Sequence, residues 1–531
     1  MTAPTAADYS HLVIGAGPAG LQLAGHLHEA GRDYAVLEAG PAPGEFFATF
    51  PRHRTMISNN KRHTGTQDPE LNLRMDWNSL LSPDPELLFT RYSERYFPPA
   101  DDFRRYLADF AAALGLRVRY NTRAVRVERP EPGGEFVVTA ADGTRYRAGV
   151  VIVASGVSAP YIPPIPGIEH AEQYATMPVD PAGFTDQRVL ILGKGNSAFE
   201  TADNLIEKAA VIHVAGPHSL RLAWQSHYVG HLRAVNNNFL DTYQLKSQNA
   251  ILDGSVQSIV ARPEGGFQVR FSFARADEVV KELYYDRIVC CTGFRLDAAP
   301  FADGCLPKLV INDRFAELTS AYESVNVPGL YFAGTLMQQR DFKKATSGFI
   351  HGFRYTVRAL ARILEQRGYG AAWPHRVLPP EPAALADAVL ARVNRSSALW
   401  QQFGVMSDML LIPQDGDAYY LEEVPVGYAL DGGLGEPGNG LPAESLMVAV
   451  TLEYGPDHDR VDPFDITLRR AAQNDAGQAH DAAYLHPVVR VYRDGDVAAE
   501  HHLAENLENQ WDDERTHRAP LVAFLEKAVA W

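Results

Sequence analysis

The sequence has 531 residues, of which 46% are hydrophobic and 21% charged, with a formal net charge of -16 and a pI near 5.6. The length allows three or so domains, and the composition excludes disorder as the default state. The acidic balance argues against nonspecific binding to nucleic acid or anionic membranes, and no apolar run of about 18 residues suggests a transmembrane helix. Three cysteines and the lack of a leader pattern before Leu12 predict a soluble cytoplasmic protein.

The first functional element is a glycine turn between a strand and a helix. The apolar run 11–14 predicts the strand, and the segment 21–30 predicts the helix. The glycines of the turn are Gly15, Gly17 and Gly20. Main-chain N–H groups at such a helix start bind a pyrophosphate, which glycines allow to approach closely. The next strand ends at Glu38, whose carboxylate can accept from a ribose and repel a 2′-phosphate, so the turn predicts FAD or NAD, and we assign FAD.

The same order of elements returns in the middle of the chain. Residues 189–192 predict a strand, the turn that follows reads GKGNSA at 193–198, and a helical pattern comes next. The strand predicted at 211–214 ends without a carboxylate, which favours NADPH and leaves NADH open. Three nearby cations are candidate phosphate contacts or, equally, solvated surface charges: Lys194, His218 and Arg221.

Later strand-and-turn segments predict how the first domain closes. Segments 151–156 and 288–294 bracket the second glycine turn, so the second dinucleotide domain is expected to be inserted into the first. Segment 329–335 precedes a helical pattern that starts near Gly348 and would direct its positive end at a flavin. His351 lies in the first turn of this helix, either as a catalytic residue or as a packed helix residue.

The C-terminal region follows a different pattern. Its Pro-rich start at 374–382 predicts a linker, followed by a helix over 383–403 and strands over 446–454 and 488–492. The predicted fold is therefore α/β, with two dinucleotide-binding Rossmann-type domains, the second inserted into the first, and a C-terminal α+β module. The flavin domain is expected to comprise two segments, 1–165 and 289–370. The nicotinamide domain is expected at 166–288 between them, and the C-terminal module at 371–531.

The sequence also restricts the chemistry of the flavin. Disulfide reduction needs two cysteines close together at the flavin, usually as C-x-x-C, and no such pair occurs. Cys290 and Cys291 are neighbours in a predicted buried strand, so their side chains should point to opposite faces in a structural role. Oxygen activation is consistent with the two turns, with NADPH reducing FAD and a flavin peroxide held in a pocket that excludes water. No metal-ligand spacing is present, and no metal is expected.

Several motifs resemble known flavoproteins. GKGNSAFE at 193–200 and TGFRLD at 292–297 are similar to stretches of flavin-containing monooxygenases and N-hydroxylating monooxygenases. Over nearly the whole chain, the sequence more closely resembles the FAD-dependent oxidoreductase domain-containing family, whose animal members are endoplasmic-reticulum flavoproteins linked to degradation. This resemblance rests on PRHR (51–54), SNNKR (58–62), DWNSLLS (76–82), HYVG (227–230), DTYQLKS (241–247), GFIHGFRY (348–355), LWQ (399–401), YLEE (420–423) and LHP (485–487).

The chain departs from these relatives in two respects. Its ends lack the leader and the retention-type tail of the animal proteins, which suggests a soluble bacterial relative. It also lacks, before Val189, the F-x-G-x-x-x-H stretch of typical flavin-containing monooxygenases. The resemblance nevertheless implies an FAD-dependent, NAD(P)H-consuming monooxygenase that oxygenates a nitrogen or sulfur of a small molecule through a flavin hydroperoxide.

Other interpretations stay open beside this one. Asn59 matches the monooxygenase asparagine near the flavin, but an ordinary turn asparagine fits the same context. The expected partners are a small-molecule substrate and molecular oxygen, without nucleic acid or membrane, and the oligomeric state is open. The alternatives are a flavin reductase or dehydrogenase with another electron acceptor or protein partner, and a binding protein that uses the dinucleotides structurally.

The expected site residues fall into two groups. The catalytic candidates are Asn59 and His351. The cofactor-binding candidates are Gly15, Gly17, Gly20, Glu38, Ala39, Arg54, Gly156, Gly193, Gly195, Asn196, Ser197, Arg221, Thr292, Gly293, Gly334, Thr335 and Gly348.

Overall fold

The computed structural model describes residues 7–131, 133–245, 248–277, 279–435, 441–442, 445–493 and 495–529. Two residues of the resemblance motif at 241–247, Lys246 and Ser247, lie outside the described residues. Over the described residues, each helix is too short or too polar to cross a membrane. Three large β-sheets organise these residues, and each is built from a separate stretch of the sequence apart from one late strand.

The first sheet contains the N-terminal strands. Ala7–Ile14 pairs in parallel with Tyr34–Leu37 on one side and with Arg145–Val153 on the other. Every residue of Tyr34–Leu37 is buried, as expected for a parallel strand covered on both faces. Leu330–Phe332 also pairs in parallel with Arg145–Val153. The order across the sheet is Val118–Arg119, Tyr34–Leu37, Ala7–Ile14, Arg145–Val153, Phe136–Ala140 and Ala124–Glu128.

The second sheet lies, in the sequence, between the early strands of the first sheet and its late strand. Its central strand, Arg188–Leu192, pairs in parallel with Val211–Gly216 and with Arg287–Cys290. Because Leu330–Phe332 then returns to the first sheet, the predicted insertion of one Rossmann-type domain into the other is confirmed. The strand order is Val280–Tyr285, Phe267–Phe273, Ala250–Ala261, Val211–Gly216, Arg188–Leu192, Arg287–Cys290 and Glu172–Gln173.

Helices cover both sheets. Pro18–Glu29 packs against the long helix Ile350–Tyr369 over the first sheet, within one buried apolar cluster. Asn196–Leu205 follows the second glycine turn. The other α-helices of the two domains are Phe46–Thr49, Pro69–Met75, Ala100–Ala113, Ala223–Ser226 and Asn238–Gln244. Two short ladders complete them, Ala159–Pro160 with Phe294–Arg295 and Leu309–Val310 with Phe315–Ala316.

The adjacent cysteines behave as their alternation in a strand predicts. Cys290 belongs to the apolar cluster with Leu190 and Leu192, whereas Cys291 belongs to the cluster with Val189 and Ile191 on the other face of the sheet. Both thiols are buried and neither forms a disulfide. The expectation that they point to opposite faces is therefore confirmed.

The C-terminal module is built on an antiparallel sheet. Its α-helices are Pro382–Val393, Ser397–Gln401, Val426–Leu430 and Ala519–Val529. Pro382–Val393 and Ala519–Val529 pack together over a cluster that includes Leu410, Val450 and Trp511. The strand order is His375–Leu378, Ala418–Pro425, Met406–Pro413, Ser445–Glu453, His486–Arg493 and Asp496–His502. The predicted α+β character of this module is confirmed, and the domain boundaries stay predictions.

Two expectations for the C-terminal region are wrong. The single helix over 383–403 is two helices, because the Ser396 hydroxyl accepts from the N–H of Leu399 and starts a new helix at Ser397. The Pro-rich linker contains the strand His375–Leu378, paired with Ala418–Pro425. Prolines 374 and 379 stand just outside this edge strand, so its N–H groups remain able to pair.

Candidate functional site

One cleft of about 420 Å³ collects residues from both glycine turns. It is also lined by the segment around residues 46–58 and by the start of helix Ile350–Tyr369. Among the residues that the sequence singled out, its lining includes Gly17, Gly156, Asn196, Ser197, Thr335, Gly348 and His351. The others lie outside the lining: Gly15, Gly20, Glu38, Ala39, Arg54, Asn59, Gly193, Gly195, Arg221, Thr292, Gly293 and Gly334.

The first glycine turn has no space for side chains on its inner side. A Cβ atom at Gly20 would lie 1.9 Å from the carbonyl oxygen of Gly15. A Cβ at Gly17, which precedes helix Pro18–Glu29, would meet no protein atom within 4 Å, so this helix start opens into the cleft. Free N–H groups and the positive end of a helix dipole favour an anion. The turn therefore fits a dinucleotide pyrophosphate.

Glu38 connects this turn to the end of its second strand. One carboxylate oxygen accepts from the N–H of Ala16 and the other from the N–H of Gly40, each at 2.8 Å. Its side chain is buried, since the residue is 8% exposed. Both oxygens retain lone pairs beyond these two bonds. A ribose contact from Glu38 stays a prediction.

The second turn repeats this backbone. Gly193 has φ +115°, and a Cβ there would lie 2.2 Å from the carbonyl oxygen of Cys291. At the helix start, Asn196 donates to the carbonyl oxygen of His231 (2.8 Å) and accepts from the N–H of Arg233 (2.9 Å). The Asn196 side chain therefore attaches the 226–236 loop to the second glycine turn.

A carboxylate that the local sequence does not reveal stands beside this turn. Asp253 lies on the neighbouring strand, opposite Gly216 in the register, and accepts from the ammonium group of Lys194. The Nε of Arg275 is 3.5 Å from the same carboxylate, and Arg275 also donates to the hydroxyl of Ser219. The expectation that no acid guards this position is therefore wrong, because the acid comes from the next strand.

The three cations that the sequence predicts as phosphate contacts have different surroundings. Lys194 donates to the main-chain carbonyl of His218 at 3.0 Å, while the His218 residue itself is exposed. Arg221 is exposed and lies 3.8 Å from the carboxylate of Asp459 in the C-terminal module. Of the three predicted cations, only Lys194 lies beside the carboxylate of Asp253.

A buried acid in the cleft was missed by the sequence-based prediction. Glu200 lines the cleft, and the hydroxyl of Tyr174 donates to its carboxylate. Burial raises the pKa of Glu200 to about 7, against the opposing effect of the Tyr174 hydrogen bond. Glu200 stands one helical turn after Asn196, so its spacing in GKGNSAFE was an available signal.

His351 lines the cleft as a neutral imidazole. Its ring stacks on Trp77 with centroids 4.1 Å apart and is almost parallel to Phe349. Within the described chain, neither ring nitrogen has a hydrogen-bond partner, although both are buried. Burial, with the neighbouring charges of Arg354 and Arg233, holds its pKa well below the usual value. The ring therefore places two unpaired hydrogen-bonding nitrogens in the wall of the cleft.

Asn59 and Arg54 support the walls of the cleft without lining it. The amide oxygen of Asn59 accepts from Arg233 at 2.9 Å, and Arg233 lies over the ring of Trp77. Arg54 donates to the main-chain carbonyl of Phe47 at 2.7 Å and to Asp101 at 2.6 Å. Arg54 therefore shapes the loop that supplies three aromatic lining residues. Sequence reasoning also missed this aromatic lining: Phe46, Phe47, Phe50 and Phe294.

The closing segments meet at the same cleft. The hydroxyl of Thr335 donates to the carbonyl oxygen of Gly348 at 3.2 Å, so it joins the late strand to the helix start. Thr292 donates to the carbonyl of Tyr161 and holds the turn after the second sheet. Thr335 and Gly348 both line the cleft, so their contact fixes part of its wall.

The sequence matches a family model and known proteins. Residues 12–334 match the family model described as pyridine nucleotide-disulphide oxidoreductase. FAD-dependent oxidoreductase domain-containing protein 2 of Mus musculus is 39% identical over 98% of this chain and 84% of its own length. The protein of the same name from Danio rerio is 37% identical over 98% of this chain and 83% of its own length.

A solved structure matches the fold at lower identity. The flavin-containing monooxygenase from Stenotrophomonas maltophilia superposes with a TM-score of 0.51 at 21% identity, covering 68% of this chain and 99% of its own. At this identity the likeness concerns the fold alone. The two animal relatives match nearly all of the chain, while the family model ends before the C-terminal module.

Proposed function

This chain belongs to the pyridine nucleotide-disulphide oxidoreductase family and to the FAD-dependent oxidoreductase domain-containing proteins, and from that premise we propose that it is an NAD(P)H-dependent monooxygenase of small molecules. Membership in these families confirms the resemblance that the sequence motifs indicated. It also makes the chain a flavin-dependent oxidoreductase. The proposal adds the acceptor, molecular oxygen, and a substrate whose nitrogen or sulfur is oxygenated.

The first domain fits FAD. The glycine turn that a Cβ at Gly20 would fill and the open helix start at Gly17 would hold the pyrophosphate, with Glu38 at the ribose. Thr335 and the start of helix Ile350–Tyr369 would face the isoalloxazine end. Bound FAD would accept a hydride from the coenzyme and transfer electrons to the acceptor.

The residue types that line the cleft are the observation that supports oxygen as the electron acceptor. All three cysteines of the chain are described and buried, and the described lining of the cleft contains none of them. Burial raises the pKa of the Cys291 thiol, which keeps it protonated and unreactive. The wall is instead mainly apolar and aromatic, with His351 as a neutral hydrogen-bonding group. Such a wall excludes water from the reacting atoms, as oxygen chemistry requires.

Two side chains have separate tasks in this proposal. His351 hydrogen-bonds the group bound in the cleft through one of its unpartnered nitrogens. Asn59 holds Arg233 over the ring of Trp77, and Trp77 stacks on the ring of His351. Because His351 stays neutral at physiological pH, it accepts or donates one hydrogen bond without adding a charge to the cleft.

The second domain holds the nicotinamide coenzyme in this proposal, with NADPH preferred. Lys194, Arg275 and Ser219 converge beside the end of strand Val211–Gly216, where a 2′-phosphate would lie. Asp253 is the counter-ion of these cations when no phosphate is present. Its competition with the phosphate would weaken the preference, so NADH is also accepted.

The test is turnover of the FAD-loaded enzyme. Flavin is reduced anaerobically with NADPH, and air is then admitted with a panel of amines and sulfides. We expect oxygenated product in proportion to the NADPH consumed. Hydrogen peroxide as the sole product with every compound would contradict the proposal, and anaerobic turnover with a quinone or an iron acceptor would support a reductase instead.

A matched pair of variants relates this activity to the cleft. His351→Leu should keep FAD but release more hydrogen peroxide per NADPH, because the cleft loses its hydrogen-bonding nitrogen. His170→Leu, at an exposed position of the second domain, should couple like the parent. Equal coupling in the parent and His351→Leu would remove the role assigned to this imidazole.

A further inference from the structure

The C-terminal module contacts the flavin side of the cleft through the end of helix Ser397–Gln401. Gln402 donates to the hydroxyl of Ser347 at 3.0 Å, and the hydroxyl of Thr346 donates to the main-chain carbonyl of Gln401. Thr346 and Ser347 are buried and directly precede Gly348, which lines the cleft. The module therefore holds the loop from which helix Ile350–Tyr369 starts.

The same module contacts the nicotinamide side through Tyr454, which follows strand Ser445–Glu453. The Tyr454 ring stacks on His227 with centroids 4.3 Å apart and an interplanar angle of 25°. The ring of His458 also stacks on Tyr454, with centroids 4.9 Å apart. Phe464 packs on Trp224, with ring centroids 5.0 Å apart. The ring of His458 also lies 5.3 Å from that of His227, so three rings of the module contact the 222–236 loop of the inserted domain.

This loop forms one section of the wall between the two turns. His227 adopts a left-handed conformation (φ 55°) and leads into Val229, which lines the cleft. Further along, the main chain at 231–233 is bound by Asn196 of the second glycine turn, and Arg233 reaches Asn59 of the first domain. A displacement of the loop would therefore move the coenzyme turn relative to the flavin cleft.

Inside the module, Phe403 connects the contact on the flavin side, at Gln402, with the contact on the nicotinamide side, at Tyr454. It follows Gln402 directly and meets Tyr454 edge-on, with ring centroids 5.1 Å apart. Both rings pack on the core of the antiparallel sheet. A short path of packed residues therefore connects Ser347 on the flavin side to His227 on the nicotinamide side.

We infer that Tyr454 is a positioning residue that sets the geometry between the coenzyme and the flavin by holding His227 against the C-terminal sheet. Hydride transfer requires reacting atoms at about 3 to 3.5 Å, and a misplacement of about 1 Å costs on the order of a hundredfold in rate. The C-terminal module thus acts on catalysis without contacting the reacting atoms. This role rests on the proposed function, in which the coenzyme reduces FAD.

The test compares Tyr454→Leu with Tyr454→Phe in the FAD-loaded full chain. We expect Tyr454→Leu to slow flavin reduction at saturating NADPH about tenfold or more, with unchanged FAD content and a nearly unchanged coenzyme dissociation constant. Amide hydrogen exchange in peptides over 222–236 should accelerate in the same variant without any coenzyme. Tyr454→Phe keeps the ring and should restore both readouts.

Two more variants distinguish the proposed effect of Tyr454 from a general folding defect. His227→Asn removes the partner ring while asparagine tolerates the left-handed backbone, so it should reproduce the effect from the other side of the contact. Tyr419→Leu removes a ring of the same sheet that packs on His375 at its far edge, and it should change neither readout. Unchanged exchange over 222–236 in Tyr454→Leu, or an equal effect in Tyr419→Leu, would overturn the inference. Since exchange needs no electron transfer, an enzyme that no coenzyme reduces would refute the proposed function separately.

Discussion

The two glycine turns share one backbone and differ in the charges around it. Gly15 (φ +107°) and Gly193 (φ +115°) each end a central parallel strand and lead into a helix that starts on the cleft. At the first turn, the nearest carboxylate is Glu38, which accepts two main-chain N–H groups. At the second, Asp253 is paired with Lys194 and approached by Arg275.

This difference indicates that the residues that bind a dinucleotide are not the residues that select which dinucleotide is bound. The space for a pyrophosphate is made locally, because the missing side chains belong to closely spaced residues of the turn. The surroundings of the ribose come from other strands, as Asp253 and Arg275 show for the second turn. We therefore expect substitutions inside the turns to abolish binding and substitutions around them to shift preference.

Gly20→Ala should lose FAD. The added Cβ would lie 1.9 Å from the carbonyl oxygen of Gly15, so the turn must open where it would hold the pyrophosphate. We expect about tenfold less bound FAD or worse, measured as flavin absorbance per protein after incubation with excess FAD. Gly25→Ala on the same helix, where the nearest atom is Leu114 Cδ1 at 3.7 Å, should stay yellow. A fully loaded Gly20→Ala variant would show that FAD does not lie at this turn.

Gly193→Ala should disrupt the second turn and leave the first turn intact. Its Cβ would lie 2.2 Å from the Cys291 carbonyl oxygen in a left-handed backbone, so the second turn alone is distorted. FAD should remain bound and reducible by dithionite, while reduction by NADPH slows by about a hundredfold. Gly183→Ala, at an open position of the same domain, is the control. Equal loss of FAD in Gly193→Ala would mean that the turns do not act independently.

Much of this arrangement is predictable from sequence because it is encoded locally. A strand, a glycine turn and a helix are adjacent in the chain, so both turns could be predicted from residues 11–30 and 189–205. The insertion of one domain into the other could be predicted from the segments 151–156 and 288–294 that bracket the second turn. The family resemblance covers the C-terminal module as well, and it is confirmed over 98% of the chain. The break at Ser396 is the local exception, where a capping serine overrides a continuous apolar pattern.

What could not be predicted depends on contacts between distant residues. Asp253 stands beside Lys194 only because strand Ala250–Ala261 pairs with Val211–Gly216. The stacking of His351 on Trp77 joins residues from opposite ends of the first domain. Such pairs have no spacing that a sequence pattern can report, and they decide the charge and hydrogen bonding of the cleft.

Glu200, on the helix that follows the second turn, should make the stability of the protein depend on pH. Burial raises its pKa to about 7 from the ordinary 4.5, so between these values the folded protein keeps a proton that the unfolded chain releases. The free energy of unfolding should therefore fall as pH rises through this window, by roughly 3 kcal/mol in all. In Glu200→Gln this contribution should vanish, seen as a smaller drop in melting temperature between about pH 5 and pH 8. Glu207→Gln, an exposed neighbour, should keep the parental pH dependence, and a parental slope in Glu200→Gln would exclude Glu200 as its source.

The smallest expected effect is a change of coenzyme preference at the edge of the second turn. Asp253→Asn removes the carboxylate that competes with a 2′-phosphate for Lys194 and Arg275, so NADPH should bind several-fold more tightly while NADH is unaffected. Lys194→Met should act in the opposite direction, weakening NADPH by about tenfold and leaving NADH nearly unchanged. Asp277→Asn changes an exposed carboxylate on the same hairpin as Arg275 and controls for net charge. Dissociation constants of both coenzymes, measured by quenching of flavin fluorescence, distinguish the cases. Equal shifts for NADPH and NADH in Asp253→Asn would place the 2′-phosphate elsewhere, because a residue that contacts only the phosphate cannot alter the binding of a coenzyme without one.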